Sequence, residues 1–376
     1  MGAQIHCVHA AKLAEVGIRD MMLVGANILD FNAPLNAKKE IVGGQVLGAQ
    51  NLAGDRLHWE RLTVSWKPAE LENARKTLTA YLKAATRYDD DEWFKDFFGE
   101  DLPTIIQYKD SETGTEVKGI TSLLSLPPKS QILDLGCGYG RITIPLALPP
   151  HLFNLTAVDV SVPLIKQARE LYTAEQMQSS NVGEVVWIPD DILDLQKRAD
   201  FEGKFDAAIS IFSSFGYYHK DNGGKDRNLE TLRIAAYALK KDGKLLIDID
   251  NPAPFIDAVE RKPQYEPVRG QEGTHDHGEI VIHRHDAYDK NKGRRLSSFL
   301  LERKAPHNTV QQNNNLKSAW ICKPLVSVQL YSYNELTDRL SEVGFKVVNV
   351  KGDWQLNIYS TRLSPRLIVL AQKERT

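Results

Sequence analysis

From residue 127 onward, short apolar runs alternate with longer stretches whose apolar residues recur three and four apart. Seven runs read as strands: Gln131 to Leu135, Leu155 to Asp159, Val185 to Ile188, Phe205 to Phe212, Lys244 to Asp250, Lys346 to Val350 and Pro365 to Ala371. Helical patterns lie between them. One follows Arg141, where Pro145 fits only if it falls in the first turn. Another opens at Asp226, a residue suited to capping, carries Leu229, Leu232, Ala236 and Leu239, and ends at Asp242-Gly243. A third spans Tyr333 to Val343. Strands alternating with helices predict an α/β fold with a mostly parallel sheet.

Upstream, Pro68 suits a first helical position, and Leu71, Ala74, Leu78, Leu82 and Ala85 follow at helical spacing. Asp89 to Phe98 reads as a helix with an aromatic face of Trp93, Phe94, Phe97 and Phe98. Thr115 to Leu126 reads as the helix that leads into the sheet, stopped by Pro127-Pro128. Residues 1–66 are the least patterned: His6 to Val16 suits a short helix, Met21 to Val24 is a brief apolar run, and glycines at 43, 44, 48 and 54 interrupt the rest. Between strands five and six lies an insertion, residues 252–330. It holds a helix-sized piece (Pro254 to Glu260) and alternating segments around Glu279–Tyr288, Arg294–Arg303 and Ser318–Leu330, expected as antiparallel strands beside the substrate. The expected division is an extension (1–66), a helical cap (67–126), a core (127–251 with 331–376) and the insertion.

Composition narrows the field. The chain has 376 residues, 42% hydrophobic and 26% charged, as in an ordinary globular protein. A formal net charge of −2 gives no general electrostatic footprint for nucleic acid. Cys7, Cys137 and Cys322 are too scattered for a disulfide framework or a CxxC zinc pair. No stretch of about 20 apolar residues appears, nor a basic region followed by an apolar run at the amino terminus. The expectation is a cytoplasmic protein without a membrane partner.

The chemistry begins where the first core strand meets Gly136, Gly138 and Gly140. Glycine at alternate positions lets the backbone turn sharply and a ligand come close. Strand, glycine loop and helix in succession form the nucleotide-binding crossover of open α/β sheets, whose ligands lie at the carboxyl ends of strands. A dinucleotide fingerprint requires glycine or alanine three residues past the second glycine; Arg141 stands there, which disfavours NAD. With Asp134 two residues before Gly136, the segment Ile132 to Gly140 instead resembles motif I of class I S-adenosylmethionine-dependent methyltransferases. Ser214-Phe215-Gly216-Tyr217 resembles a motif IV found in a broad group of small-molecule methyltransferases, and the Ser-Pro-Arg at residues 364–366 also resembles that group. The resemblance extends from about Tyr88 to Lys373.

It implies a Rossmann-like, doubly wound, seven-stranded sheet, with a helical amino-terminal extension and a small antiparallel β insertion. It also implies S-adenosyl-L-methionine as cofactor and S-adenosyl-L-homocysteine as product. The loop residues Asp134, Gly136, Cys137, Gly138, Gly140 and Arg141 would then hold the methionine and ribose part. Asp159, with Val160 beside it, would accept from the ribose hydroxyls. Asp191 or Asp190, with Ile192, would meet the adenine, and Ile211 and Phe212 would border the pocket. Helices ahead of motif I commonly cap the cofactor in such enzymes, which makes Tyr88, Trp93 and Tyr108 lid candidates.

An acceptor that carries a proton needs a base or a proton path. His219, Tyr218, Tyr217, Asp248 and Asp250 follow or end the fourth and fifth strands and are the catalytic candidates. His219 and Tyr218 are expected on the acceptor side. His275, His277, His283 and His285 cluster in the insertion, yet no cysteine lies nearby, and no metal is expected. The expected partner is a small-molecule acceptor of methyl on N, O or C, with no nucleic acid. A homodimer through the extension or insertion is the candidate assembly. Alternatives are an RNA or protein methyltransferase of the same fold, or a non-catalytic subunit that binds S-adenosylmethionine and regulates a partner.

Overall fold

The computed structural model describes residues 21–24, 27–30, 45–50, 58–63, 93–99, 110–179, 181–219, 224, 226–261, 265–269, 280–303, 319–322 and 326–374. The expected helices over His6–Val16 and Pro68–Ala85, the lid candidates Tyr88 and Tyr108, and His275 and His277 lie outside them.

The chain divides into two compact units: Met1–Asp89 with Pro263–Ala287 and Ser297–Val326, and Asp90–Lys262 with Tyr288–Leu296 and Ser327–Thr376. Extension and outer insertion thus share one unit, a grouping that their distance in sequence conceals. In order, the elements are β1 Met21–Val24, β2 Asn27–Asp30, β3 Gln45–Gln50, β4 His58–Thr63, α1 Trp93–Phe97, α2 Asp110–Leu124, β5 Gln131–Leu135, α3 Thr143–Ala147, β6 Asn154–Asp159, α4 Val162–Gln178, β7 Val185–Pro189, β8 Phe205–Ser210, α5 Arg227–Ala238, β9 Leu239–Asp250, α6 Pro252–Arg261, β10 Tyr265–Arg269, β11 Ile280–Asp289, β12 Arg294–Arg303, β13 Ala319–Cys322, β14 Val326–Gln329, α7 Tyr333–Glu342, β15 Phe345–Lys351 and β16 Arg366–Lys373.

In the first unit, β1–β4 form an antiparallel sheet in sequence order. These strands, in the part of the chain where sequence pattern is faintest, were not anticipated. A second sheet has the order β10-β11-β12-β13, with β10 antiparallel to β11 and β12 to β13, as the alternating insertion segments predict.

The second unit is built on a seven-stranded sheet of order β15-β16-β9-β8-β5-β6-β7. Neighbours among β9, β8, β5, β6 and β7 are parallel, and β16 runs antiparallel to both β9 and β15. Strand alternation sorts side chains into two apolar layers. Leu133, Leu135, Ala208, Leu245, Ile247, Leu367 and Val369 join α5 and α7 in one layer. Ile132, Leu155, Ala157, Ala207, Ile209, Leu246 and Ile368 join α2, α3 and α4 in the other. This is the doubly wound, Rossmann-like α/β fold, with β8 central. The chain winds outward from β5 through β7, then returns to β8 beside β5. The gap between those two strands is therefore the topological switch point, where such sheets bind ligands.

Three details differ from the sequence pattern. The helix after the glycine loop is only Thr143–Ala147. Pro145 does sit in its first turn, but Pro149-Pro150 follows, and the residue ahead of a proline is pushed out of helical geometry; Leu148 is extended at ψ 163°. Helix α5, capped by Asp226 as expected, stops at Ala238. Asp242-Gly243 is instead an irregularity within β9, with Asp242 at φ 62°. Finally, α4 escaped the sequence reading, although Ser161 caps it and Leu164, Ile165, Ala168 and Tyr172 bury one face.

Candidate active site

The loop after β5 is anchored at its start, where the N–H groups of Gly136 and Cys137 both donate to Val158 O, at 2.9 and 3.0 Å. All three loop glycines have positive φ, but they answer to different demands. A Cβ on Gly136 would lie 2.7 Å from Ser214 Cβ, and one on Gly140 would lie 2.8 Å from Trp187, so both are packing requirements. At Gly138 (φ +56°) no described residue beyond its chain neighbours lies within 4 Å of that position. Among the described residues its surroundings are open, as a ligand approaching the backbone requires.

Asp159, at the end of β6, ties this loop to the next. Its Oδ2 accepts from Gly138 N and its Oδ1 from Ser161 N, each at 2.8 Å. Burial raises its pKa, and these two N–H bonds oppose the rise. Asp134 is more deeply enclosed. It is 3% exposed, accepts from Thr143 Oγ1 at 2.6 Å, and is pushed up to about 7, chiefly by burial. The half-buried Cys137 thiol is also pushed up by burial, with Asp159 and Asp134 adding to it, so it is no thiolate nucleophile. Arg141 pairs with Glu116, donates to Thr113 Oγ1 at 3.1 Å, and lies over the Phe212 ring at 5.6 Å. Val160 is half-buried beside Asp159.

At the end of β7 the two adjacent acids differ. Asp190 Oδ1 accepts from Asp191 N at 2.9 Å. Asp191 Oδ1 caps the 3-10 turn that begins at Ile192, accepting from Leu193 N at 2.9 Å, and also accepts from the Tyr218 hydroxyl. Lys95 Nζ stands 3.9 Å from its other oxygen. Tyr218 is therefore bonded to a residue of the expected cofactor side, whereas its sequence position suggested the acceptor side. Burial first, and Asp191 second, push its phenol far above the usual range, so it serves as a donor rather than a base. Tyr217 is raised in the same way, by burial and then by Asp159. Its ring stacks on Phe98 at 5.6 Å and meets Trp93 at 5.1 Å, while Ser161 Oγ donates to Phe98 O at 2.7 Å. The α1 segment with Trp93, a lid candidate, thus lies against the ends of β6, β7 and β8. His219 is half-buried on the same loop.

At the ends of β8 and β9, the catalytic candidates Asp248 and Asp250 are both ion-paired. Asp248 is fully buried. Its Oδ2 accepts from Phe212 N at 2.9 Å and its Oδ1 from Arg366 Nε at 2.7 Å. Asp250 accepts from both Arg366 and Arg295. Burial would lower the Arg366 pKa, yet Asp248 and Asp250 outweigh it, and the net direction is upward. Both carboxylates are committed to guanidinium groups, which disfavours them as general bases. Ile211 is buried, and after it Phe212 (φ 57°) and Ser213 (φ 59°) adopt consecutive left-handed conformations, which cost roughly 1–2 kcal/mol per residue outside glycine.

Sequence reading missed Arg366 and Arg294 as site residues. Arg366 stands opposite Asp250 in the antiparallel pairing of β16 and β9, a cross-strand charge match visible only once that register is known. Arg294, 3% exposed, donates to the carbonyl oxygens of Tyr218 at 3.1 Å, Tyr217 at 3.0 Å and Ser327 at 2.6 Å, and holds the Tyr217–Tyr218 loop from behind. Among the described residues no group of three His, Cys, Asp or Glu could hold a metal ion; the side chains of His283 and His285 lie outside them. No described helix is long and apolar enough to cross a membrane.

A glycine loop, an acid after the second strand and acids after the third thus stand together at the switch point of a seven-stranded, Rossmann-like sheet, the arrangement that the resemblance to class I methyltransferases implies. Residues 132–243 match the model of a methyltransferase domain family. The chain is 30% identical over 125 residues to a putative methyltransferase, YqeM, of Bacillus subtilis, covering 33% of this chain and 44% of that protein. It is 31% identical over 109 residues to ribosomal RNA small subunit methyltransferase C of Haemophilus influenzae, covering 29% of each. It thus spans less than half the length of these relatives. Among solved structures, an S-adenosylmethionine-dependent methyltransferase from Clostridium acetobutylicum superposes with a TM-score of 0.53 at 13% identity, over 79% of this chain and all of that one, a likeness of fold. The open space over Gly138 beside the Asp159 carboxylate fits S-adenosyl-L-methionine, the cofactor that the sequence resemblance implies.

Proposed function

We propose that the protein transfers a methyl group from S-adenosyl-L-methionine to a small-molecule acceptor. The observation that carries the reading is the join at Asp159: one carboxylate fastens the glycine loop and the start of α4 around open space at Gly138. Bound there, the cofactor supplies a methyl group already activated on a sulfonium. The chain's own residues bind and orient. Gly138 lets the backbone come close, Asp159 offers carboxylate oxygens for ribose hydroxyls, and Asp190, Asp191 and Ile192 line the adenine end. The leaving group needs no protonation, so positioning supplies much of the rate. With both tyrosines held as phenols and both β9 carboxylates ion-paired, His219 is the remaining candidate to take an acceptor's proton.

A net charge of −2 supports the small acceptor, since a polyanion favours a basic surface. The ribosomal RNA relative motivates a second reading, RNA as acceptor. Incubating the purified protein and methyl-labelled cofactor with a metabolite extract and, separately, with ribosomal RNA tests the two. Label in a low-molecular-mass product is the expected result; label in RNA alone would decide for the second reading.

A further inference from the structure

The left-handed turn at Phe212–Ser213 is held by six contacts from four residues. Phe212 N donates to Asp248 Oδ2 at 2.9 Å and Ser213 N to Asp248 O at 2.9 Å. Ser213 Oγ accepts from Asp250 N and from an Arg366 guanidinium N–H, each at 3.1 Å. The Arg366 guanidinium also lies over the Phe212 ring at 5.5 Å, as does that of Arg141 at 5.6 Å. One residue further, Ser214 Oγ donates towards Ile211 O at 2.9 Å and Gly136 O at 3.2 Å, so the turn meets the glycine loop directly. Backbone in a sparsely populated region persists only where its surroundings over-determine it. Arg366 is the one side chain among these that reaches the turn's hydroxyl, its ring, and both carboxylates.

We infer that Arg366 is a positioning residue for cofactor binding: from the last strand it locks the Phe212–Ser213 turn and so sets the glycine loop against the Ser214–Tyr217 segment. It acts through the turn and touches no substrate. A planar fork suits this task, since a lysine ammonium cannot span two carboxylates and a hydroxyl at once. The inference rests on the reading that the glycine loop binds S-adenosylmethionine.

The test is calorimetric titration with S-adenosylhomocysteine of the wild type and of Arg366→Lys, Arg366→Lys/Ser213→Gly, Ser213→Ala and Ser213→Gly, with thermal unfolding alongside. Arg366→Lys is expected to weaken binding at least tenfold. Adding Ser213→Gly is expected to recover at least a third of that loss on a logarithmic scale, because glycine adopts φ 59° without steric cost. Ser213→Ala and Ser213→Gly lose the same hydroxyl, so alanine is expected to bind at least threefold more weakly than glycine. This pair decides the matter even if Arg366→Lys does not fold. Binding by Arg366→Lys within twofold of wild type, no recovery with glycine, or equal binding by the two Ser213 variants would overturn the inference. Absence of binding by the wild type would instead defeat the reading on which it rests.

Discussion

The two halves of the sheet's carboxyl edge are built differently. On the β5–β6–β7 half, most of the site's bonds run within a loop or to the next one: Asp159 to Gly138 and Ser161, Asp190 to Asp191, Asp191 to Leu193, although Asp191 also accepts from Tyr218. Those loop partners lie within about two dozen residues in sequence. On the β8–β9–β16 half, the bonds cross the whole domain, joining Phe212 to Asp248, and Asp248 and Asp250 to Arg366. The first half presents open backbone and carboxylate to a ligand. The second spends its charges on one another and holds a turn. On the proposed function, residues of the same type at the ends of neighbouring strands divide into binders and scaffolding according to whether an arginine faces them.

Breaking the scaffolding half should produce the largest effect. Asp248→Ala leaves Arg366 short of a buried partner and is expected to cost about 3–5 kcal/mol of stability. Urea unfolding measures it, and a loss near zero would mean the network is solvated and the comparison false. Breaking the binding half should spare the fold. Asp159→Ala is expected to weaken S-adenosylmethionine by roughly 1–3 kcal/mol in calorimetry while moving the unfolding midpoint far less.

That contrast also explains how much was legible in the sequence. The binding half was readable because its signals are local: apolar strand, glycines at alternate positions, an acid at the next strand's end. All seven core strands followed from such spacing. The scaffolding half was misread because Asp248 and Asp250 look like candidate bases until β16 is laid against β9, bringing Arg366 opposite Asp250 across more than a hundred residues. Tyr218 shows the same limit. Its place after β8 pointed to the acceptor, but a long-range bond to Asp191 joins it to the cofactor half. The strands β1–β4 were missed for a third reason, the lack of a sustained alternating pattern in residues 1–66.

Two smaller effects sharpen the boundary. The pKa of Asp134 is raised to about 7 by burial, so the folded state holds its proton more tightly than the unfolded chain does. Stability is thus lost as pH climbs from about 4 to 7, at up to about 1.4 kcal/mol per pH unit, and the penalty is constant above that. In ligand-free protein, Asp134→Asn should gain stability relative to wild type over this window and match its pH slope elsewhere; parallel unfolding curves across pH 4–8 would refute the assignment. Tyr218→Phe should weaken cofactor binding by about 1 kcal/mol, the worth of one hydrogen bond, with kcat at saturating cofactor nearly unchanged. A lower kcat with unaltered cofactor affinity would return Tyr218 to the acceptor side.

The central claim is that the space over Gly138 receives S-adenosylmethionine, and titration calorimetry of the wild type and Gly138→Val tests it most directly. The account predicts saturable binding of S-adenosylmethionine and none of NAD by the wild type. It predicts no cofactor binding by Gly138→Val, whose branched side chain fills the open space and strains a backbone at φ +56°, with the circular dichroism spectrum of the folded protein retained. Binding of NAD without S-adenosylmethionine, or undiminished S-adenosylmethionine binding by the folded valine variant, would contradict it.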